Sequence, residues 1–304
     1  MDKVLVSGLI NVETAVAIDC FPIPYAPVHY AFWGVRSRVS GVGYNIAKAL
    51  TTLGQPIRFL SMVGDDLAGE MVRQTAVRAG IPMADCLPRL GATAQSAVLY
   101  DSDGRRQIYV DPKDAQEQAY PPERFAAALA ECHLAVLGNV NWNRPFLAEA
   151  KAAGKLVATD VHAIHDLDDA YNQDYMAAAD ILFMSDERLP VAPEVWAEQV
   201  QARFGTPVLV IGLGSQGALL AVRKDNFMER ITAVYTRPVV NSVGAGDALF
   251  SSFLHAYSQT SDPYAAIRQA VVFASYKIGE SGAAEGFLTA PALAEWVART
   301  AKGL

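Results

Sequence analysis

Short β-branched runs alternate with segments of helical period, and that alternation limits what this chain can fold into more than any other feature. The runs are Val4–Ser7, Ile57–Val63, Leu134–Leu137, Leu156–Thr159, Ile181–Met184 and Val208–Ile211. Their apolar character is that of strands buried on both faces. Between them, Ile46, Ala49, Leu50 and Leu53 share one helical face that Gly54 ends, and Leu67, Met71, Val72, Thr75 and Ala79 share another that Gly80 ends. Strands and helices in alternation predict an α/β chain with a mostly parallel sheet and helices on both faces. A chain of 304 residues can bury a large core in one such domain.

Two regions interrupt the rhythm. Residues 12–40 read as irregular and rich in aromatics and proline, whereas Ser96–Tyr100, a turn at Asp101–Gly104, and Gln107–Val110 read as a β-hairpin. Together they fit a small β appendage, with a lid and a plain surface hairpin both open as its role. The net charge of -7 argues against a broad nucleic-acid surface and favours a small-molecule partner. No apolar stretch is long enough for a transmembrane helix and the amino-terminal apolar core is too short for a secretory signal, so a cytoplasmic protein without membrane contact is expected. Cys20, Cys86 and Cys132 are isolated and are expected to be buried apolar residues.

The most informative segment is Pro238–Tyr257. Leu249, Phe250, Phe253, Leu254 and Tyr257 mark one face of a helix, so Gly244, Ala245 and Gly246 lie where that helix begins. A helix start offers unpaired N–H groups and the positive end of the dipole, which suits an anion. Asp247, in the first turn, is placed to take a proton from a hydroxyl attacking a phosphoryl group. The same residues also fit a tight turn followed by a carboxylate that only complements the dipole. Upstream, Asn45 in Ser40–Asn45 either caps a helix or offers an amide to a polyol, and Asp65 and Asp66 read as helix-start residues. Gly212-Leu-Gly-Ser-Gln-Gly217 spells a dinucleotide fingerprint, but a short apolar run closing in a turn follows it, with no crossover helix to hold a pyrophosphate. No GxxxxGK[ST] occurs.

Three motifs in order, GxGxN at Gly41–Asn45, VGDDxxG around Asp65 and VGAGDA around Ala245, resemble those of the PfkB, or ribokinase-like, carbohydrate and nucleoside kinases. The resemblance spans nearly the whole chain. It implies one Rossmann-like domain over 1–304 with a β lid from about 12–40 and 92–114, and transfer of the γ-phosphate of ATP to a substrate hydroxyl with Mg²⁺. Asp247 would be the general base, and Gly244, Ala245 and Gly246 the anion hole. Asn11, Glu13, Gly41, Gly43 and Asn45 would hold the acceptor. Gly212, Gly214, Gly217 and Ser242 would lie on the nucleotide side, with Gly279–Gly286 closing over the nucleotide.

Some positions depart from the pattern. Asn241 removes a carboxylate near the usual monovalent-cation site, which leaves K⁺ activation open. Glu187, in Ser185–Arg188, is the candidate metal carboxylate through a shifted register. Asn139, Asn141, Asp160 and His162 follow strand ends, where contact with a ligand and loop capping are equally open. His162 and His165 form an HxxH without a further ligand, so no zinc site is expected. The acceptor is read as a sugar or sugar-like alcohol. The alternatives are a ribonucleoside stacked on aromatics of residues 21–33, which fit a small lid core better, and a catalytically weak ligand-binding protein. A homodimer through the lid is a family-level expectation.

Overall fold

The computed structural model describes residues 2–103 and 105–302, so Gly104 of the expected turn lies outside the described residues. The chain begins β1 (Lys3–Ser7), β2 (Asn11–Ala17), β3 (Val35–Ser40), α1 (Val42–Thr52), β4 (Ile57–Gly64), α2 (Leu67–Arg78), β5 (Asp85–Leu90), β6 (Gln95–Tyr100) and β7 (Arg106–Asp111). It continues through α3 (Pro122–Ala130), β8 (Cys132–Leu137), α4 (Arg144–Ala152), β9 (Leu156–Asp160), α5 (Gln173–Ala178), β10 (Ile181–Ser185) and α6 (Pro193–Phe204). It closes with β11 (Val208–Gly212), β12 (Ala218–Val222), β13 (Phe227–Ile231), α7 (Ala245–Thr260), α8 (Pro263–Lys277) and α9 (Ala290–Lys302).

All six apolar runs are strands of one nine-stranded sheet, ordered β13-β12-β11-β10-β9-β8-β1-β4-β5. Its pairings are parallel except for β11–β12 and β12–β13. Alternate residues of each strand feed opposite layers, because successive side chains point to opposite faces. Val4 and Val6 join α1, α2, α7 and α8 in one core, while Leu5 joins α3, α4, α5 and α6 in the other. β1 lies between β4 and β8: the chain passes from β1 to β4 through α1 in one layer and later returns to β8, on the other side of β1, through α3 in the opposite layer. The carboxyl end of β1 is therefore a topological switch point, where open α/β sheets form their ligand crevice.

The second sheet has the order β3-β2-β6-β7. The expected hairpin is β6–β7, with Asp101 accepting from the backbone N–H groups of Asp103 and Arg105 in its turn. Residues 12–40 are less irregular than their composition predicts, since their two ends are β2 and β3, paired antiparallel from Asn11↔Ser40 to Val16↔Val35. These strands carry half-exposed polar residues on one face and so lack an apolar run. Pairing of β2 with both β3 and β6 fixes them instead. The aromatics between them do not form a lid core: Tyr25, Tyr30, Phe32 and Trp33 are exposed. Cys20 in the same segment is also exposed, whereas Cys86 and Cys132 are buried as expected. The segment leaves the sheet after Ala17 and rejoins it at Val35, and these four aromatic side chains stand in solvent. No helix among the described residues is long and apolar enough to cross a membrane.

Candidate active site

α7 starts at the glycine loop, as its apolar spacing predicts. Gly244 caps it in the left-handed region at φ 77°, and a Cβ there would lie 2.3 Å from the Ala283 carbonyl oxygen. Only glycine fits such a position. No side chain caps the helix, and a Cβ placed on exposed Gly246 would meet nothing within 4 Å. The Gly246 amide and the positive end of the dipole thus face open space, whereas the Ala245 N–H, expected in the anion hole, donates to the Ser242 carbonyl at 3.1 Å and closes the turn instead.

Asp247 stands just inside that opening and is buried. Asn45 Nδ2 donates to its Oδ2 at 2.6 Å, across 202 residues of sequence, so the GxGxN helix and the GAGD helix meet at this bond. Burial pushes the Asp247 carboxyl up to about 6; the Asn45 amide opposes this, as do the charges of His162 and Lys277, while Asp160 adds to the rise. Asp160 and His162 belong together: Asp160 Oδ1 accepts from the His162 backbone N–H at 2.8 Å, in a turn that holds His162 at φ 58°.

The other residues expected to hold an acceptor lie on β2 and α1, at and beyond the end of β1. Asn11 is buried at the start of β2, and its Nδ2 donates to Ser96 Oγ at 3.1 Å. Glu13 accepts from Ser40 Oγ at 3.3 Å. The Oδ1 atoms of Asn11 and Asn45 are buried and have no protein partner. A buried acceptor left unsatisfied costs about 1–3 kcal/mol, so these two atoms are suited to hydroxyl donors from a ligand. The glycines have a different task. A Cβ on Gly43 would lie 2.5 Å from the carbonyl carbon of Gly8, and one on Gly41 would lie 2.7 Å from the Leu9 carbonyl oxygen. Their absence of side chains lets α1 rest directly on the end of β1.

Glu187, past the end of β10, and Gly212, at the end of β11, lie three and four strands from β1 along the same sheet edge. Gly214 is exposed with open space before it, whereas a Cβ on Gly217 would lie 2.0 Å from the Ile231 carbonyl oxygen, so packing against β13 accounts for Gly217. β12, not a crossover helix, follows the GxGxxG. Glu187 is exposed. Among the described residues no group of three or more His, Cys, Asp or Glu side chains is placed to hold a metal ion. Asn139 and Asn141 bond to Asn172 and Gln116 and stitch loops together. Asp66 caps α2 by accepting from Gly69 N–H at 2.7 Å.

The model of the pfkB family of carbohydrate kinases matches residues 1–290. The chain belongs to that family. This kinase is 30% identical over 255 residues to the acarbose 7(IV)-phosphotransferase of an Actinoplanes species, covering 83% of each chain. It is 26% identical over 291 residues to the ATP-dependent ribose-1-phosphate kinase of Halopiger xanaduensis, covering 93% and 94%. Its fold superposes on a microbiome-derived acarbose kinase, Mak1, with a TM-score of 0.88 at 27% identity, over 98% of this chain and 99% of that one. Arabidopsis thaliana ribokinase, solved with ribose and ATP, gives a TM-score of 0.82 at 18% identity, over 97% and 98%.

Two features of this kinase have no signal in its sequence. Arg106 of β7 donates to Ser242 Oγ at 3.4 Å, and Arg38 of β3 lies 3.3 Å from Glu285, so the second sheet reaches the 242 and 285 loops. Lys277 is fully buried behind the glycine loop. In the sequence it reads as an ordinary cation in the last turn of a helix.

Proposed function

We propose that this carbohydrate kinase transfers the γ-phosphoryl group of ATP to a hydroxyl of a small sugar or sugar-like alcohol, with Asp247 as general base. The observation that carries this reading is the Asn45–Asp247 bond at the open start of α7, with the unpartnered acceptors of Asn11 and Asn45 beside it. Asn11, Glu13 and Asn45 orient the acceptor hydroxyls, and Gly41 and Gly43 let α1 come close enough to do so. The ionised Asp247 carboxylate takes the hydroxyl proton as the oxygen bonds to phosphorus and the bond to the ADP oxygen breaks. The amides of Gly244 and Gly246 hold the charge on the transferring group, for which preorganised N–H donors are well suited, and the Ala245 N–H, bonded to the Ser242 carbonyl, sets the turn that presents them. Gly212, Gly214 and Ser242 line the nucleotide side, and Gly217 supports that turn. The second sheet serves as the lid, Arg106 and Arg38 joining it to the body and keeping water out.

Mg²⁺, when bound, offsets the charge of the phosphate oxygens. Among the described residues no carboxylate cluster is placed to hold a metal, which fits an ion held mainly by phosphates and water, and Glu187 would be the carboxylate this chain contributes.

A ribonucleoside acceptor is disfavoured by the position of the aromatics. They lie beyond Ala17 and Val35, at the far end of the β2–β3 ribbon from Asn11 and Ser40. Six residues of strand separate the two ends by about 20 Å. ADP release should be measured across ribose, deoxyribose, ribose 1-phosphate, fructoselysine, acarbose, adenosine and pseudouridine. A sugar as the fastest acceptor supports the reading. A nucleoside as the fastest acceptor refutes the sugar assignment, and failure of all acceptors with no ATP binding by calorimetry refutes the kinase assignment.

A further inference from the structure

Lys277 is the charged residue whose position the scheme above does not explain. A lysine at a helix carboxyl end normally keeps its ammonium in water, yet Lys277, the last residue of α8, is 0% exposed. Burying an ammonium costs several kcal/mol unless it is paired and hydrogen-bonded. Its Nζ donates to the carbonyl oxygen of Val243, the residue before the Gly244 cap. Burial pushes its ammonium down to about 8, and Arg38 adds to the fall, while the carboxylates of Asp247, Glu285 and Glu13 oppose it and favour the charged form.

The neighbouring peptide is fixed from its other side. Asn241 Oδ1 accepts from the Val243 N–H at 2.8 Å, and Asn241 Nδ2 donates to the Ser281 carbonyl at 3.2 Å. A carboxylate at position 241 has no N–H to give Ser281. The oxygens grouped around this loop, which a monovalent ion there could use, are the carbonyls of Val243 and Ser281 and the side-chain oxygen of residue 241. Here the two carbonyls already receive N–H donors, and residue 241 turns a donor rather than a negative charge toward Ser281. This donor set does not fit a bound monovalent ion.

We propose that Lys277 is a covalently tethered replacement for that ion, so that this kinase turns over without K⁺. In a trans peptide the carbonyl of Val243 and the N–H of Gly244 point in opposite directions. Holding the carbonyl on the Lys277 side therefore fixes the Gly244 amide on the other, and the ammonium places one positive charge behind the anion loop. Lys277 is a positioning residue that does not touch substrate. The proposal rests on the kinase reading, and its test separates the two.

The wild-type enzyme, Lys277→Met and Lys277→Ala are compared in buffer free of K⁺, Na⁺ and NH₄⁺, then with K⁺, Rb⁺ or methylammonium added, and melting curves check folding. Wild-type ADP release is expected to be unchanged by K⁺. Lys277→Met, which keeps the side-chain volume and removes the charge, should lower kcat by about 100-fold, the cost of displacing a reacting group's neighbours by about 1 Å, with the acceptor KM little altered. Lys277→Ala should regain turnover with K⁺ or methylammonium, and crystals soaked in Rb⁺ should show anomalous scattering beside the Val243 carbonyl only in that variant. Several-fold K⁺ stimulation of the wild type, full kcat in Lys277→Met, Rb⁺ at this position in the wild type, or no Rb⁺ in Lys277→Ala would each overturn the proposal. Should the wild type turn over no acceptor, the kinase reading fails, and the Rb⁺ positions still decide the role of the lysine.

Discussion

Replacing Asn45 by Leu should move the acid limb of the pH–rate profile to higher pH. Asp247 is buried, and the Asn45 amide, at 2.6 Å, is its one side-chain hydrogen-bond donor among the described residues. A hydrogen bond to a charged group is worth about 1.5–3 kcal/mol. At about 1.4 kcal/mol per pKa unit, its loss favours the protonated carboxyl by roughly one to two units. Leucine keeps the space filled and excludes water that would otherwise solvate the carboxylate. A general base works only when ionised, so a higher pKa reduces the active fraction at a given pH. From the wild-type value of about 6, the limb should move to about 7–8, lowering kcat/KM at pH 7 by roughly two- to tenfold beyond any lost acceptor contact. Turnover should recover as the pH is raised past the new limb. ADP release measured from pH 5 to 9, at subsaturating and saturating acceptor, separates that shift from a change in KM. A wild-type limb near the ordinary carboxylate range, or one that Asn45→Leu leaves in place, would refute both the burial argument and the role of Asn45.

Gly43→Ala should destabilise the fold by about 1–3 kcal/mol, because its Cβ would meet backbone that cannot move aside; the midpoint of urea unfolding reads this, and an unchanged midpoint contradicts the Gly8–Gly43 contact. Arg106→Ala should leave the melting temperature nearly unchanged, since the residue is exposed, but lower kcat by about tenfold if the lid is held through Ser242. Equal kcat in steady-state assays would remove Arg106 from the closure. Glu187→Gln should raise the Mg²⁺ concentration needed for half-maximal rate, and an identical Mg²⁺ titration would show that the ion does not use this carboxylate.

The large sheet was legible because its strands are buried on both faces and leave apolar runs that no other element would produce. β2 and β3 were not, since their partly exposed residues leave no apolar run and their structure is decided by pairing with each other and, for β2, with β6 about 80 residues along the chain. The Gly244–Asp247 turn could be read because a glycine loop followed by a helical stripe has a single local geometry. The partner of Asp247 could be foreseen only as a motif, because the Asn45 bond depends on how α1 packs against α7. Lys277 was hidden for a similar reason: nothing local distinguishes a lysine turned inward at a helix end from one turned to water. Gly217 shows the converse, a motif glycine whose backbone conformation is explained by a neighbouring strand.

The central claim, that Asp247 is the base for phosphoryl transfer, is tested most directly by comparing single-turnover ADP formation in the wild type and Asp247→Asn with the best sugar acceptor. Asparagine preserves the shape but cannot accept the hydroxyl proton. The rate should fall by about 100-fold or more, with ATP affinity by calorimetry nearly unchanged. A folded Asp247→Asn enzyme that forms ADP within a few-fold of the wild-type rate would contradict the account.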